Sequence, residues 1–368
     1  MAIGPTAGRI VEIASVEVFD HLVATGSRRM EGWRVQDVDL RDRTAALLAL
    51  DPAGALLLGC ELTAPAATHL RDEGAVVFAD LPTVPIDTYR HDLYTAEELY
   101  GDLATGPYES SLDARAYAWS QRPAGDPADR VAAALHDAAV EAALDRALAG
   151  RRLVGVMGGH ALARGELGYR FAVDLGRRLA TSGVVVGTGG GPGAMEAANL
   201  GAHLVAASDD DVDAAIEQLA TVPSFRPSIR AWVTVARVVR DRFAGGDGGV
   251  GVPTWHYGHE PSNVFPAGIA KYVQNSVREA TLLRRCDGGI VFLPGAAGTV
   301  QEVFQDACEN YYADPATVAP MVLVGVEHWT SVVPAWPLLQ ALAAGRPMER
   351  HVALVDTIDE VLGALMRG

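Results

Sequence analysis

The segment IVFLPGAAGTVQE, residues 290–302, joins a short apolar run to a stretch with helical spacing. Between the two stand small residues and a threonine, and a carboxylate follows one turn later. Residues without bulky side chains let backbone N–H groups approach a ligand, and the start of a helix adds unpaired N–H groups and the positive end of its dipole. The segment therefore predicts a strand, an anion-binding loop and a helix, in that order.

A second glycine-rich loop, GTGGGPGAMEAAN at residues 187–199, follows the apolar run VVV. From residue 152 onward, short unbroken apolar runs alternate with helical segments, which is typical of a parallel sheet covered on both faces. The sequence therefore predicts an α/β fold with a Rossmann-like, doubly wound parallel sheet. Because ligands bind beyond the carboxyl ends of the strands in such a sheet, the two loops together predict a site for one phosphate.

A stretch rich in helix-breaking residues, QRPAGDPAD at residues 121–129, interrupts the chain ahead of this region. It predicts two domains: a small α/β domain of unknown role over residues 1–125, and the Rossmann-like domain over residues 126–368. In the smaller domain, the apolar runs ALLLG and AVVFAD flank a helical segment, which is a strand–helix–strand pattern.

Composition limits the classes of function. The 368 residues carry a formal net charge of -16, which disfavours non-specific binding to a nucleic-acid backbone or to an anionic membrane. The three cysteines form no paired framework, and no apolar run is long enough to span a membrane. We expect a cytoplasmic protein without disulfides that acts on a small molecule, with no nucleic acid and no membrane as partner.

The paired motifs GGGPGAMEAANLGA, residues 189–202, and PGAAGTVQE, residues 294–302, resemble those of the LOG (Lonely Guy) family, long described as lysine decarboxylases. The family patterns are GGGxxGxM and PGGxGTxxE, and the similarity covers about residues 150–368. Longer bacterial relatives, the nucleoside 5'-monophosphate nucleosidases, also carry extra N-terminal sequence. The resemblance implies hydrolysis of the N-glycosidic bond of a nucleoside 5'-monophosphate to a free base and ribose 5-phosphate, and it implies a homodimer.

By position in these motifs, the resemblance assigns the catalytic pair to Glu302 and to Arg278 on the preceding predicted helix. One extra residue between Arg278 and Pro294 leaves Arg284 and Arg285 as alternatives. A carboxylate beside the anomeric carbon stabilises an oxocarbenium-like transition state and orients or deprotonates water, while an arginine grips phosphate or hydroxyl groups with its fork of donors. We expect Glu302 to be ionised, because it lies near the start of a helix.

The two loops and their surroundings supply the remaining candidate residues for binding the substrate and its phosphate. These are Gly158, Gly159, Gly189, Gly190, Gly191, Gly193, Met195, Glu196, Asn275, Pro294, Gly295, Ala296, Ala297, Gly298 and Thr299.

Two residues depart from the family's motifs. Ala296 replaces the second glycine of PGG, which is tolerable only if the residue has a negative φ, and Gln301 replaces the first of two adjacent acids. These departures keep a second hypothesis open: a nucleotide- or cofactor-binding carrier protein of the same fold that does not hydrolyse its ligand.

The segment WHYGHEPSN, residues 255–263, contains two histidines and a glutamate, but their spacing differs from that of a zinc-binding helix, and its glycine and proline indicate a loop. We therefore predict no metal and no cofactor. The loop is expected to line the pocket for base or ribose, with Asn263 as a hydrogen-bond donor. The segment IAKYVQNSVREATLLRRC, residues 269–286, predicts a helix on which Lys271 and Asn275 share one face with Arg278. His160 either borders the nucleotide or is an exposed loop histidine.

Overall fold

The computed structural model describes residues 10–79, 84–104, 106–122, 127–243, 245–256 and 259–366. This chain divides into two compact units. The first takes the chain up to Asp92 and the segment that ends at Ala143; the second takes Leu93–Arg122 and the chain from Leu144 onward. The predicted boundary between residues 125 and 126 lies outside the described residues.

The first unit is an open sheet of parallel strands with short helices between them. Its elements are β1 (Val11–Ile13), α1 (Val16–Ala24), β2 (Trp33–Gln36), α2 (Thr44–Ala49), β3 (Leu56–Leu58), α3 (Ala64–Asp72) and β4 (Val76–Phe78). The strands pair in the order β1-β2-β3-β4. Helix α1 begins after Ser15, whose side chain accepts from the backbone N–H of Val18, and Phe19 packs edge-on against Trp33 in the core. The predicted small α/β fold is confirmed.

The second unit contains the larger sheet. Helix α6 (Pro127–Leu148) begins in the first unit, and its last residues, from Leu144, belong to the second. The other elements of the second unit are α4 (Ala96–Tyr100), α5 (Leu112–Ser120), β5 (Leu153–Met157), α7 (Leu167–Thr181), β6 (Val185–Thr188), α8 (Ala194–His203), α9 (Asp209–Ala220), α10 (Ile229–Arg242), β7 (Val250–Gly251), β8 (Gly268–Ile269), α11 (Asn275–Arg285), β9 (Ile290–Phe292), α12 (Ala297–Tyr312), β10 (Met321–Val324), α13 (Trp336–Ala343), β11 (Val352–Val355) and α14 (Ile358–Leu365). No described helix combines the length and the apolar character that crossing a membrane requires.

The seven strands of this sheet are all parallel and lie in the order β11-β10-β9-β5-β6-β7-β8. From β5 the chain adds β6, β7 and β8 on one side, then crosses over and adds β9, β10 and β11 on the other. The direction of winding therefore reverses between β5 and β9, and a ligand crevice forms at such a switch point, outside the carboxyl ends of the strands. The strand order confirms the predicted Rossmann-like α/β class.

Burial explains why the central strands were readable from sequence. Every residue of β5, β6, β9 and β10 is buried, so each reads as an unbroken apolar run. The predicted helix over residues 269–286 is wrong in its first part. Ile269 instead belongs to β8 and exchanges backbone hydrogen bonds with Tyr94, so the helix begins only at Asn275.

Candidate functional site

Three loops at the carboxyl ends of neighbouring strands meet around Gly159. The N–H of Gly159 donates to the carbonyl oxygen of Pro294 at 3.1 Å, and its own carbonyl oxygen accepts from the N–H of Ala194 at 3.2 Å. The loop after β5 is thus hydrogen-bonded on one side to the loop before α12 and on the other side to the start of α8. The structure brings the two predicted glycine loops together at the switch point of the sheet.

Glycine is required at two points of this junction by close backbone approach. Gly193 has φ +72°, and a Cβ placed on it would lie 2.4 Å from the carbonyl oxygen of Gly159. A Cβ on Gly158 would lie 2.8 Å from the Cβ of Ala194 and 3.0 Å from the Cβ of Leu293. Larger residues would push the loops apart, so these glycines have a packing role in addition to any role in binding.

The remaining residues of the glycine motif GGGPGAM, residues 189–195, lie beside β7. Met195 packs against Gly189 and Gly191, since a Cβ on either glycine would lie within 3 Å of the Met195 side chain. The carbonyl oxygen of Gly190 accepts from the N–H of Asn263 at 2.9 Å. These contacts fix the course of the loop, and they place Gly189 next to the guanidinium of Arg278, 3.8 Å from a Cβ built on the glycine.

The start of α12 presents backbone N–H groups without a side-chain cap. Ala296 is the N-cap residue, and its φ of -113° is one that alanine adopts without strain, so this departure from the family motif does not distort the loop. Ala296, Ala297 and Gly298 are exposed, and the first N–H groups of a helix lack partners within the helix. Thr299 is buried, and its hydroxyl packs against Gly295, where a Cβ would lie 2.1 Å away. The arrangement suits an anion.

Arg278 and Glu302 lie together beneath these loops. The Nη1 atom of Arg278 is 3.2 Å from Oε1 of Glu302 and 3.0 Å from Oε2 of Glu279. All three side chains are buried. A single guanidinium therefore lies between two carboxylates, and the cluster has a net negative charge when both are ionised. Glu279 is a member of the site that the sequence analysis missed.

The protonation of Glu302 differs from the expectation. Burial raises the pKa of its carboxyl to about 7; the charge of Arg278 opposes this rise and Glu279 adds to it. The expectation that the helix start keeps Glu302 ionised is wrong, because α12 begins at Ala297 and Glu302 lies in the second turn, where the effect of the dipole has faded. Near neutral pH, Glu302 therefore exchanges a proton readily.

Arg278 has a donor that is available to a ligand. Its Nε atom is buried and has no hydrogen-bond acceptor among the described residues. The two alternative arginines lie elsewhere: Arg285 pairs with Asp145, and Arg284 is exposed near Glu309. Of the three candidates, the structure places Arg278 beside Glu302.

Glu196 does not fit the predicted role in binding phosphate. Its side chain is fully buried, and its two carboxylate oxygens accept hydrogen bonds from the guanidinium of Arg164 and from the hydroxyl of Tyr169. A carboxylate bound in this way has a structural role, and as an anion it would repel a phosphate. This prediction is therefore corrected: Glu196 fastens α8 to the loop after β5 and to α7.

Two neighbouring predictions also change, and the placement of a third agrees with the expectation. Asn263 donates its side-chain amide to the carbonyl oxygen of Gly191 at 3.2 Å and is fully buried, so it supports the loop and does not face a ligand. Lys271 precedes α11 and forms a buried ion pair with Asp113, so it does not share a helix face with Arg278. Asn275 is half-buried at the first position of α11, one turn before Arg278, as expected.

The structure adds two residues at the rim of the site. Glu260 pairs with His160 at 3.1 Å, and its carboxylate lies 3.5 Å from a Cβ built on Gly191, so both residues border the glycine loop. Burial raises the pKa of Glu260, although the charges of His160 and Arg278 partly offset it. On the other side, the ring Nε2 of His328 contacts the backbone of Gly295 at 3.0 Å. Neither Glu260 nor His328 has a local sequence signal for this placement.

Among the residues that the structure describes, no three His, Cys, Asp or Glu side chains converge as a metal site would require. The cradle formed by the two glycine loops and their neighbours presents backbone N–H groups, the guanidinium of Arg278 and the carboxyls of Glu302, Glu279 and Glu260.

Comparison with known proteins finds matches among solved structures. No protein-family model matches the chain, and no curated protein matches it. The molybdenum cofactor binding protein from Rippkaea orientalis is 16% identical, with 60% of this chain and 98% of that chain covered at a TM-score of 0.36. The molybdenum cofactor carrier protein from Chlamydomonas reinhardtii is 18% identical, with 59% and 97% covered at a TM-score of 0.37. Similarity at this level does not bear on the activity of the chain.

Proposed function

We propose that the protein binds a nucleoside 5'-monophosphate in the cradle formed by the two glycine loops and hydrolyses its N-glycosidic bond. The observation that supports this most directly is the contact between Arg278 and Glu302 next to Gly189. It puts a carboxyl with a near-neutral pKa and a forked cation at the edge of an anion-binding helix start.

The phosphate binds at the start of α12. The N–H groups of Ala297, Gly298 and Thr299 and the positive end of the helix dipole provide hydrogen bonds and a favourable field for a dianion. No bulky side chain of these residues covers this point, because residues 296–298 are small and exposed, Gly295 has no side chain and the side chain of Thr299 is short. The ribose then extends toward Arg278 and Glu302.

The chemical step is the cleavage of the bond between C1' of the ribose and the base nitrogen. Positive charge develops on the ribose as this bond breaks, and the ionised carboxylate of Glu302 stabilises it. Glu302 also takes a proton from the attacking water, whose oxygen bonds to C1'. The base leaves with the bonding electron pair and takes a proton from solvent, to which Glu302 then returns the proton that it took. The products are the free base and ribose 5-phosphate.

The role of Arg278 is to position the substrate. Its Nη1 holds Glu302 while its Nε has no acceptor among the described residues, so the same guanidinium is able to donate to a sugar hydroxyl or to a phosphate oxygen. Lysine has no second donor in a fixed plane and would not bridge these groups. Fixing the sugar beside the carboxylate is worth several kcal/mol of barrier lowering.

A second candidate is a nucleotide- or cofactor-binding protein of the same fold that does not hydrolyse its ligand. The observation in its favour is the position of Arg278 between two buried carboxylates, Glu279 and Glu302. This neutralises the guanidinium before any ligand arrives. In this candidate the ion pairs serve only to hold α11 and α12 together, and the cradle binds a phosphate without a carboxylate placed at the sugar.

The two functions are separated by one experiment. Purified protein is incubated with AMP, GMP, CMP and UMP, and free base and ribose 5-phosphate are quantified by chromatography, with Glu302→Gln as the comparison. Hydrolysis by the wild type and its loss in Glu302→Gln support the enzyme. Binding of a monophosphate at micromolar affinity without product supports the second candidate. Failure to bind any of the four contradicts the hydrolase and leaves only the cofactor-binding form of the second candidate.

A further inference from the structure

A buried network of polar side chains lies within the second unit, separate from the Arg278 cluster. Lys271 and Asp113 are both almost fully buried, and Nζ of Lys271 lies 2.6 Å from Oδ1 of Asp113. The Tyr108 hydroxyl donates to the other oxygen of Asp113 at 2.6 Å, and the same hydroxyl contacts Nε2 of His259. The network thus extends from Lys271 through Asp113 and Tyr108 to the ring of His259.

The charges in this network determine where the protons of the Tyr108 hydroxyl and of the His259 ring lie. Burial favours a neutral Asp113, but the ion pair with Lys271 and the hydrogen bonds from Tyr108 and Trp255 outweigh it and hold the pKa of Asp113 below its ordinary value. An ionised Asp113 only accepts hydrogen bonds, so the Tyr108 hydroxyl must donate to it. The Tyr108 oxygen then accepts from His259, whose Nε2 must carry the proton.

The imidazole of His259 is consequently held in one tautomer. Burial lowers the pKa of His259, which keeps the ring neutral, and the proton on Nε2 leaves the lone pair on Nδ1. The groups whose charges act on this ring are Asp113, Lys271 and Glu109. His259 therefore presents a fixed hydrogen-bond acceptor on the side of its ring away from Tyr108.

His259 lines a pocket of about 430 Å³ on the face of α5. This volume lies in the range of small-molecule sites. The ring of Tyr117 lies 4.0 Å from that of His259 between centroids, and Ile229 and Ala118 add apolar surface. Arg115 and Glu109 also line the pocket, and their opposite charges offset each other. The pocket therefore suits a flat, uncharged ring with an N–H group.

The pocket and the phosphate cradle lie on either side of one short segment. His259 lines the pocket, whereas the next residue, Glu260, borders Gly191 of the cradle and pairs with His160. The charges of Arg278 and Lys271 both act on the carboxyl of Glu260 and lower its pKa, against the larger effect of burial. The pocket and the cradle are therefore lined by consecutive residues of one segment.

We propose that this pocket binds a nucleobase, which stacks on the ring of Tyr117 and donates an N–H hydrogen bond to Nδ1 of His259. If the base belongs to the nucleotide whose phosphate binds in the cradle, this proposal rests on the proposed function. If the base belongs to a ligand without a phosphate, the proposal is independent of it. In both cases the ligand chemistry is the same: a planar heterocycle with a ring or exocyclic N–H.

The test compares two variants of the pocket with a matched control by isothermal titration calorimetry. Ala118→Trp fills the pocket from an exposed helix position, and His259→Asn removes the ring; asparagine tolerates the φ of +58° that His259 adopts. Ala341→Trp places the same bulk on the exposed face of α13. The probes are AMP, GMP, CMP and UMP, the four nucleosides, and inorganic phosphate.

The expected result is a loss of about tenfold or more in affinity for at least one base-containing probe in both pocket variants, because Ala118→Trp occupies the space of the base and His259→Asn removes the acceptor Nδ1. The affinities of Ala341→Trp, and the affinity of every variant for inorganic phosphate, should match those of the wild type.

A loss of affinity for monophosphates alone identifies the base of the cradle's nucleotide, and a loss for nucleosides as well identifies a ligand that needs no phosphate. Affinities of both pocket variants within twofold of the wild type for every probe overturn the proposal, as does the absence of binding of any base-containing probe to the wild type.

Product formation, measured in parallel, separates this proposal from the proposed function. If the wild type makes no ribose 5-phosphate yet its binding depends on Ala118 and His259, the hydrolase is excluded and the pocket stands. If the wild type hydrolyses a monophosphate and both variants keep its KM, the hydrolase stands and the pocket is excluded.

Discussion

Arg278 and Glu302 are 24 residues apart in the chain, yet Nη1 of the first lies 3.2 Å from Oε1 of the second. The contact exists because β9, which separates them in sequence, pairs with β5 in the middle of the sheet, so that α11 and α12 come together beneath its carboxyl end. Glu279 joins them and leaves the cluster with more carboxyl than guanidinium charge. The near-neutral pKa of Glu302 follows from this burial and imbalance.

Replacing Glu302 by glutamine should remove hydrolysis while the protein stays folded. The variant keeps the size of the side chain and loses the carboxylate that stabilises the ribosyl cation, so we expect kcat to fall by about 10²-fold or more. The matched control is Glu309→Gln, an exposed position on the same helix. Equal rates for wild type and Glu302→Gln would exclude a catalytic role for this carboxyl.

The rate should rise with pH through the pKa of Glu302. Burial raises this pKa to about 7, so the active carboxylate is the minor form below pH 7 and the major form above it. We expect kcat/KM to increase with pH and to level off above about pH 8, measured from pH 6 to 9. The second ionisation of the substrate phosphate, near 6, is nearly complete only from about pH 7 upward, so the rise between pH 7 and 8 is the part that reports Glu302. A profile that falls over this range would instead assign Glu302 as a general acid.

Stability should change in the opposite direction. The folded pKa of Glu302 lies above its ordinary value of 4.5, so between about pH 4.5 and 7 the folded protein keeps a proton that the unfolded chain has released. The free energy of unfolding therefore falls as pH rises through this window, by an amount on the order of 3 kcal/mol. Chemical denaturation at pH 5 and pH 8 measures it. Glu302→Gln should show a smaller difference between the two; an identical difference would contradict the raised pKa.

Gly193→Ala should destabilise the junction of the loops. The residue has φ +72°, and the new Cβ would meet the carbonyl oxygen of Gly159 at 2.4 Å, so we expect the free energy of unfolding to fall by about 1–3 kcal/mol. Gly298→Ala is the control, since no atom lies within 4 Å of its Cβ. Its stability should equal or exceed that of the wild type. Thermal denaturation of both variants decides, and equal melting temperatures would count against the close contact.

Glu196→Gln should affect stability and leave catalysis largely intact. Removing the carboxylate leaves the guanidinium of Arg164 buried without its counter-ion, which costs about 3–5 kcal/mol in comparable pairs. Glu217→Gln, at an exposed position on α9, is the control. Below the unfolding transition, we expect KM for the monophosphate to match the wild type. A large rise in KM with unchanged stability would restore Glu196 to the binding site.

The parts of the site that sequence analysis predicted are those with a local signal. A buried parallel strand is an unbroken apolar run, and a loop that approaches a ligand needs small residues, so β9 and the segment Pro294–Thr299 were recognisable together. Strands β7 and β8 have two residues each, which is too short for any periodic pattern, and the helix predicted over residues 269–286 therefore began too early.

The parts that were missed depend on contacts between distant segments. Glu260 borders Gly191 only because the loop after β7 folds back over the first glycine motif, and Glu279 matters only because α11 buries it beside Glu302. The raised pKa of Glu302 likewise comes from tertiary burial, which outweighs the local effect of the helix start on which the sequence expectation relied.

A crystal structure of the Glu302→Gln variant with a bound nucleoside 5'-monophosphate is the most direct test of the central claim. We predict phosphate oxygens within hydrogen-bond distance of the N–H groups of Ala297, Gly298 and Thr299, and C1' of the ribose as the sugar carbon nearest to residue 302. A nucleotide bound away from α12, or one whose phosphate lies at its N-terminus while the ribose points away from residue 302, would contradict the account.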